Sequence, residues 1–199
     1  AINAGDGMHA VARLTLMRLH QQGMPVDRVL KAMELLDRSS LSLCEGQHMD
    51  LVFQERLDPS VDSYVRMAER KAGALVACAM GLGALTATED ESVLTAFREC
   101  GRQIGVAWQM GRDIRDLATS TGQDGPSDNL LNKKKLLPIV RTLEAGETSL
   151  KRELGTMYFK RILDPEDVHR IVAILEESSA MKFSRGLLES HCEKALDAL

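Results

Sequence analysis

Asp113 and Asp116 stand three residues apart in the stretch WQMGRDIRDL, and Gln109 lies one turn before them. On a helix these three side chains share a stripe, so two carboxylates present their oxygens on one side. A hard cation such as Mg²⁺ held there keeps several waters, which a phosphorylated ligand can replace. Arg112 borders the stripe, and the loop that follows ends in the lysine run 133–135. Positive and negative groups converging in this way suit a phosphate site. Spacing alone favours the plainer reading, an ordinary solvated helix face.

Two more segments carry polar groups in apolar company. In EGQHMDL, Gln47 and Asp50 share one face of a helix otherwise rich in Leu and Met. If buried, an amide and a carboxylate there need partners, so a structural polar network is one reading and a ligand site the other. Lys71, in ERKAGAL, is flanked by small and apolar residues. Such a lysine can snorkel to water, or it can meet a diphosphate at the mouth of a helix bundle. The five histidines are scattered without metal-ligand spacing, and they read as non-catalytic. No GxSxG, P-loop or HExxH pattern occurs, which sets aside serine hydrolases, nucleotide phosphate loops and zinc peptidases.

The elements that must hold these groups are all helical. Apolar residues at steps of three and four predict helices over 6–22 and 26–53. A third starts at a cap from Ser60 or Asp62 and runs to about Leu82. A fourth spans 91–117, opened by acidic residues that suit the positive end of a helix. It carries two stripes, an apolar one of Phe97, Ile104 and Trp108 and the polar one of Gln109, Asp113 and Asp116. A loop over 118–132 follows, then shorter helices divided at Gly146, Gly155, Asp164-Pro165 and Gly186. No stretch alternates as a strand, so the chain reads as all-α.

Composition bounds the function. Hydrophobic residues are 44% and charged residues 27% of the 199, the mix of a folded domain. A net charge of −4 disfavours a general nucleic-acid binder. Four cysteines without CxxC or CxxH spacing point to neither zinc nor a disulfide framework, and to a reducing cytoplasm. The apolar run 74–85 is too short to cross a bilayer. The opening AINAGDGMHA has no basic flank, which argues against a secretion signal, and its lack of an initiator Met suggests a processed chain or part of a longer product.

The order of motifs resembles a known family. AINAGD, then LCEGQHMDL, YVRMAERKAGAL with GLGAL, GRQIGVAWQMGRDIRDL and TGQDGPSDNLLNKKKLLPIV together resemble the trans-isoprenyl diphosphate synthases, through about Ala145. The resemblance implies one isoprenoid-synthase-type helical bundle over 1–199, incomplete at its N-terminus. It also implies transfer of an allylic diphosphate's prenyl group onto isopentenyl diphosphate, with Mg²⁺ between two DDxxD motifs. By that likeness Lys71 contacts the allylic diphosphate and Gln109 precedes the second aspartate-rich motif. Asp113 and Asp116 are metal-binding acids of that motif, and Asp128 supports the metal's water shell. Gln47, Asp50 and Lys134 or Lys135 bind substrate by the same likeness, and Arg112, beside the polar stripe, is expected to bind substrate on its own charge.

The departures from the family pattern are specific. RDIRD replaces DDxxD, so Arg112 stands where the first acid belongs and a weakened Mg²⁺ site is expected. Gln123 stands for a lysine, Ala72 for Thr or Ser, and Leu136 for a small polar residue. The first DDxxD lies upstream of Ala1 in the family. Three functions remain: a prenyltransferase acting as a homodimer, a catalytically degraded subunit in a heterodimer with a related synthase, or a terpene-cyclase-like enzyme.

Overall fold

The computed structural model describes every residue except Ala1, Leu57, Thr121, Gln123 and Asp124. The Gln123 departure therefore lies outside the described residues. In chain order the elements are α1 (Ile2–Arg18), a 3-10 turn (Leu19–Gln22), α2 (Val26–Gln54), α3 (Val61–Ala68), a π turn (Glu69–Gly73) and α4 (Ala74–Ala87). Then come α5 (Glu91–Ala118), α6 (Asp128–Leu131), α7 (Leu137–Ala145), α8 (Thr148–Phe159), α9 (Pro165–Glu177) and α10 (Ala180–Asp197). Among the described residues all regular structure is helical, as the periodicity implies.

Helix α5 is the axis. It packs most extensively on α4 and α10. Its inward face includes Cys100, Gln103, Val106, Met110, Asp113 and Leu117, at steps of three and four. Gly101 and Gly105 let α4 and the π turn come close. A Cβ on Gly105 would sit 2.5 Å from the Ala72 carbonyl oxygen, and one on Gly101 2.8 Å from the Ala77 Cα. The apolar stripe of Phe97, Ile104 and Trp108 points outward and stays partly exposed.

Local chemistry sets the boundaries. Ser60 rather than Asp62 caps α3, its hydroxyl accepting the Ser63 N–H at 3.1 Å. Asp164 and Asp167 form a reciprocal capping box at α9, with Pro165 at its first turn. Two predicted breaks are absent: Gly155 lies inside α8 and Gly186 inside α10. A helix-interior glycine costs only about 1 kcal/mol relative to alanine. Burial of neighbours such as Leu154 and Met157 exceeds that, at roughly 2 kcal/mol for each large apolar side chain.

Besides a small cluster of Ala32, Ala84, Leu85 and Leu94, the core has a middle part and a C-terminal part that meet at the end of α5. Phe53, Tyr64, Met67, Val106, Met110 and Leu137 form the middle cluster. Leu117, Leu130, Leu154, Ile171, Ile174 and Leu175 belong to the larger C-terminal one. Residues beyond Gly146, which carry no legible motif, thus hold α7 and the end of α5 in place.

Candidate functional site

Lys71 owes its direction to an irregularity. The third predicted helix is not regular across 60–82: it widens into the π turn at Glu69–Gly73, and Lys71 is that turn's central residue. Two glycines from other helices clasp the turn. A Cβ on Gly46 of α2 would lie 2.6 Å from the Lys71 backbone nitrogen, opposite the Gly105 contact. An extra residue per turn rotates the side chains after it, a common device at functional sites.

So placed, the Lys71 ammonium donates to Asp50 Oδ2 at 2.7 Å. Lys134 reaches the same oxygen at 3.4 Å. Asp50 is buried at 6% exposure, yet both lysine side chains keep a path to water. Lys134 arrives because Lys133 adopts a left-handed backbone, φ 55°, just past α6. A non-glycine residue held there stores roughly 1 kcal/mol or more of strain. Lys135 is turned inward, its ammonium donating to the Gln54 carbonyl at 3.2 Å and lying 4.5 Å from the Tyr158 ring centre. Burial, aided by nearby Lys133, lowers its pKa to about 8.

Across from this wall stands Asp113, at 2% exposure. Its carboxylate accepts from the Tyr64 hydroxyl at 2.6 Å, the Leu137 backbone N–H at 3.0 Å and the Gln109 amide at 3.0 Å. Burial raises its pKa to about 6; the bonds from Tyr64, Leu137 and Gln109 oppose that rise. Asp116 accepts from the Asn129 amide at 2.6 Å. Arg112 lies over the Trp108 ring at 5.0 Å.

These groups line one small cavity. Asp50, Lys71, Gln109, Arg112, Asp113 and Lys134 border it, with Lys135, Tyr64 and Asn129 completing the wall. Four cations against two carboxylates leave it positive. Its volume is about 40 Å³, room for a few waters. A larger ligand enters only if Lys71 and Lys134 swing away from Asp50. A roomier groove of about 310 Å³, edged by Lys31, Arg38 and Arg98, has much of its charge already paired, as in Lys31–Glu91 and Arg38–Glu34.

The structure thus gathers Lys71, Asp50, Gln109, Arg112, Asp113, Lys134 and Lys135. Gln47 does not join them; it faces a separate groove with Leu43, Cys44 and Leu51. Asp128 is exposed on the first turn of α6. Among the described residues no three metal-ligating side chains of His, Cys, Asp or Glu converge.

The sequence profile of the polyprenyl synthetases matches residues 1–175. The chain belongs to the polyprenyl synthetase family. It is 28% identical over 202 residues to a geranylfarnesyl diphosphate synthase of Aeropyrum pernix, covering 100% of this chain and 62% of that one. It is 29% identical to a geranylgeranyl diphosphate synthase of Mycobacterium tuberculosis, covering 100% of this chain and 56% of that protein. A polyprenyl synthetase structure from Streptomyces coelicolor A3(2) superposes with a TM-score of 0.83 at 25% identity, covering 99% of this chain and 59% of the other. The chain therefore spans about 60% of the length of relatives it matches. The all-α isoprenoid-synthase fold is shared with these structures.

Sequence reasoning did not single out Tyr64, Asn129 or Tyr158 as part of the site. A signal existed for two of them. The chain has only two tyrosines, and a buried tyrosine hydroxyl seeks a partner.

Proposed function

We propose that this chain forms the diphosphate-holding half of a prenyltransferase site, joining the prenyl group of an allylic diphosphate to isopentenyl diphosphate. One observation carries the reading: Lys71 faces Gln109, Asp113 and Arg112 across a single positively charged cavity. Preorganised positive groups stabilise a diphosphate as its bond to the allylic carbon ionises. In this reading Lys71 and Lys134 hold the leaving group, and Lys135 supports it from the buried side. Gln109 and Tyr64 fix Asp113.

Family members use Mg²⁺, which requires converging oxygen ligands. The wall bearing Asp113 and Asp116 does not fit that requirement. Asp113 is enclosed by three donors, Asp116 is held by Asn129, Asp128 faces solvent and Arg112 stands beside them. No step is assigned to a metal on this wall.

No helix among the described residues is long and apolar enough to cross a membrane, and the four cysteines are free thiols. The free thiols suit a reducing cytoplasm, and the chain is proposed to act there as a homodimer or with a related synthase subunit. Arg112 in an acid's place also favours a second reading, a subunit that tunes a catalytic partner's product length. Incubation with allylic and isopentenyl diphosphates plus Mg²⁺ tests the first. Longer prenyl products and released pyrophosphate are expected; absence of both contradicts it. If product length changes only on mixing with an intact synthase, the second reading replaces the first.

A further inference from the structure

We infer that this cavity binds a diphosphate through direct contacts from Arg112, Lys71 and Lys134, without a divalent metal bridging it to the Asp113 wall. The inference rests on the diphosphate site proposed above and says how that site holds its ligand. Metal bridging needs carboxylate oxygens that face the ligand and can shed their partners. Asp113 borders the cavity but lacks the second property. It is nearly sealed, and its oxygens already accept from Tyr64, Gln109 and the Leu137 backbone. Releasing it would strand a buried hydroxyl and a buried backbone N–H, each costing roughly 1–3 kcal/mol.

Arg112 has the opposite character. It borders the cavity, and among the described residues no carboxylate pairs with it. Asp116, four residues on and within reach on a helix, is occupied by the Asn129 amide instead. The Trp108 ring lies 5.0 Å from the guanidinium carbon and restrains that side chain. Its N–H groups stay available for two oxygens of one phosphoryl group, a geometry guanidinium favours. Lys71 and Lys134 supply point charges from the other side, where Asp50 now takes the place of an anion. Incoming diphosphate competes with Asp50 for these ammonium groups, each of which has three N–H donors and can serve both anions.

The test is calorimetric titration of the protein with inorganic pyrophosphate, in EDTA and again in Mg²⁺. Binding is expected in EDTA, with Mg²⁺ changing affinity by less than about threefold. Arg112→Ala should weaken metal-free binding by roughly tenfold or more, the worth of a lost charge-assisted contact. Arg112→Asp should abolish it in EDTA and restore it in part with Mg²⁺. Arg112 is a partly exposed helix residue, so these variants should keep the parent's melting temperature, and Arg112→Gln gives a milder check. Pyrophosphate binding by the parent only with Mg²⁺ overturns the inference and leaves the diphosphate site standing. Metal-free binding indifferent to Arg112→Ala also overturns it. Binding under neither condition removes both the inference and the site.

Discussion

The two carboxylates of the cavity are both buried, yet they are held in opposite ways. Asp50 is bound by cations, Lys71 and Lys134, each on a flexible stem with access to water. Asp113 is bound by neutral donors fixed in the fold: a tyrosine hydroxyl, a helix-borne amide and the first backbone N–H of α7. An ion pair of the first kind can exchange one anion for another at small cost. The second kind cannot, since the Tyr64 hydroxyl and the Leu137 N–H have no route to solvent. One acid therefore behaves as a placeholder for ligand and the other as a structural pin joining α3, α5 and α7.

Removing each acid should break the comparison most visibly. Asp113→Ala leaves two buried donors without an acceptor, for a loss of about 3 kcal/mol. In a chain of this size that lowers the melting temperature by roughly 9 °C. Asp50→Ala frees two lysines that keep a path to water, so its loss should be about half as large, about 1.5 kcal/mol. Equal destabilisation by both would erase the distinction.

Gly105→Ala probes the junction behind the lysine wall. Its methyl would meet backbone atoms of Ala72 and Gly73 at 2.5–2.7 Å. Overpacking of this kind costs about 2 kcal/mol, even after the better helix propensity of alanine. Because the push falls on the π turn, pyrophosphate affinity should fall along with stability. A drop in melting temperature with unchanged affinity would show that the turn does not aim Lys71.

Asp50→Asn sharpens the comparison from the ligand side. It removes the anion that now occupies Lys71 and Lys134, so pyrophosphate should bind about fivefold tighter, roughly 1 kcal/mol. Weaker binding would mean that Asp50 positions the lysines rather than competing for them.

The smallest effect concerns pH. Lys135 has a folded pKa of about 8 against an ordinary 10.5, because it is buried. Between those values the unfolded chain binds more protons there than the folded protein does, so this group's contribution to stability rises with pH. Urea melts at pH 8 and pH 10 should show that rise in the parent and a smaller one in Lys135→Met. Identical rises would place the titration elsewhere.

Much of this was legible locally. The span 91–117 closely matches Glu91–Ala118 because its cap and periodicity are encoded within it. Lys71 and Asp50 stood out as polar residues in apolar company, and the structure brings them together. The π turn was not legible, since Gly46 and Gly105, remote in sequence, impose it. Nor was the fixing of Asp113, whose partners lie 49 residues before it and 24 after. Placing Gln47 beside Asp50 went too far, because i and i+3 on a broad helix face can border different grooves.

A crystal structure of the protein soaked with pyrophosphate in EDTA addresses the central claim most directly. The account predicts pyrophosphate between Lys71, Lys134 and Arg112, with Lys71 drawn off Asp50 and the Tyr64–Asp113 hydrogen bond intact. Pyrophosphate bound elsewhere, with the Lys71–Asp50 pair undisturbed, would contradict it.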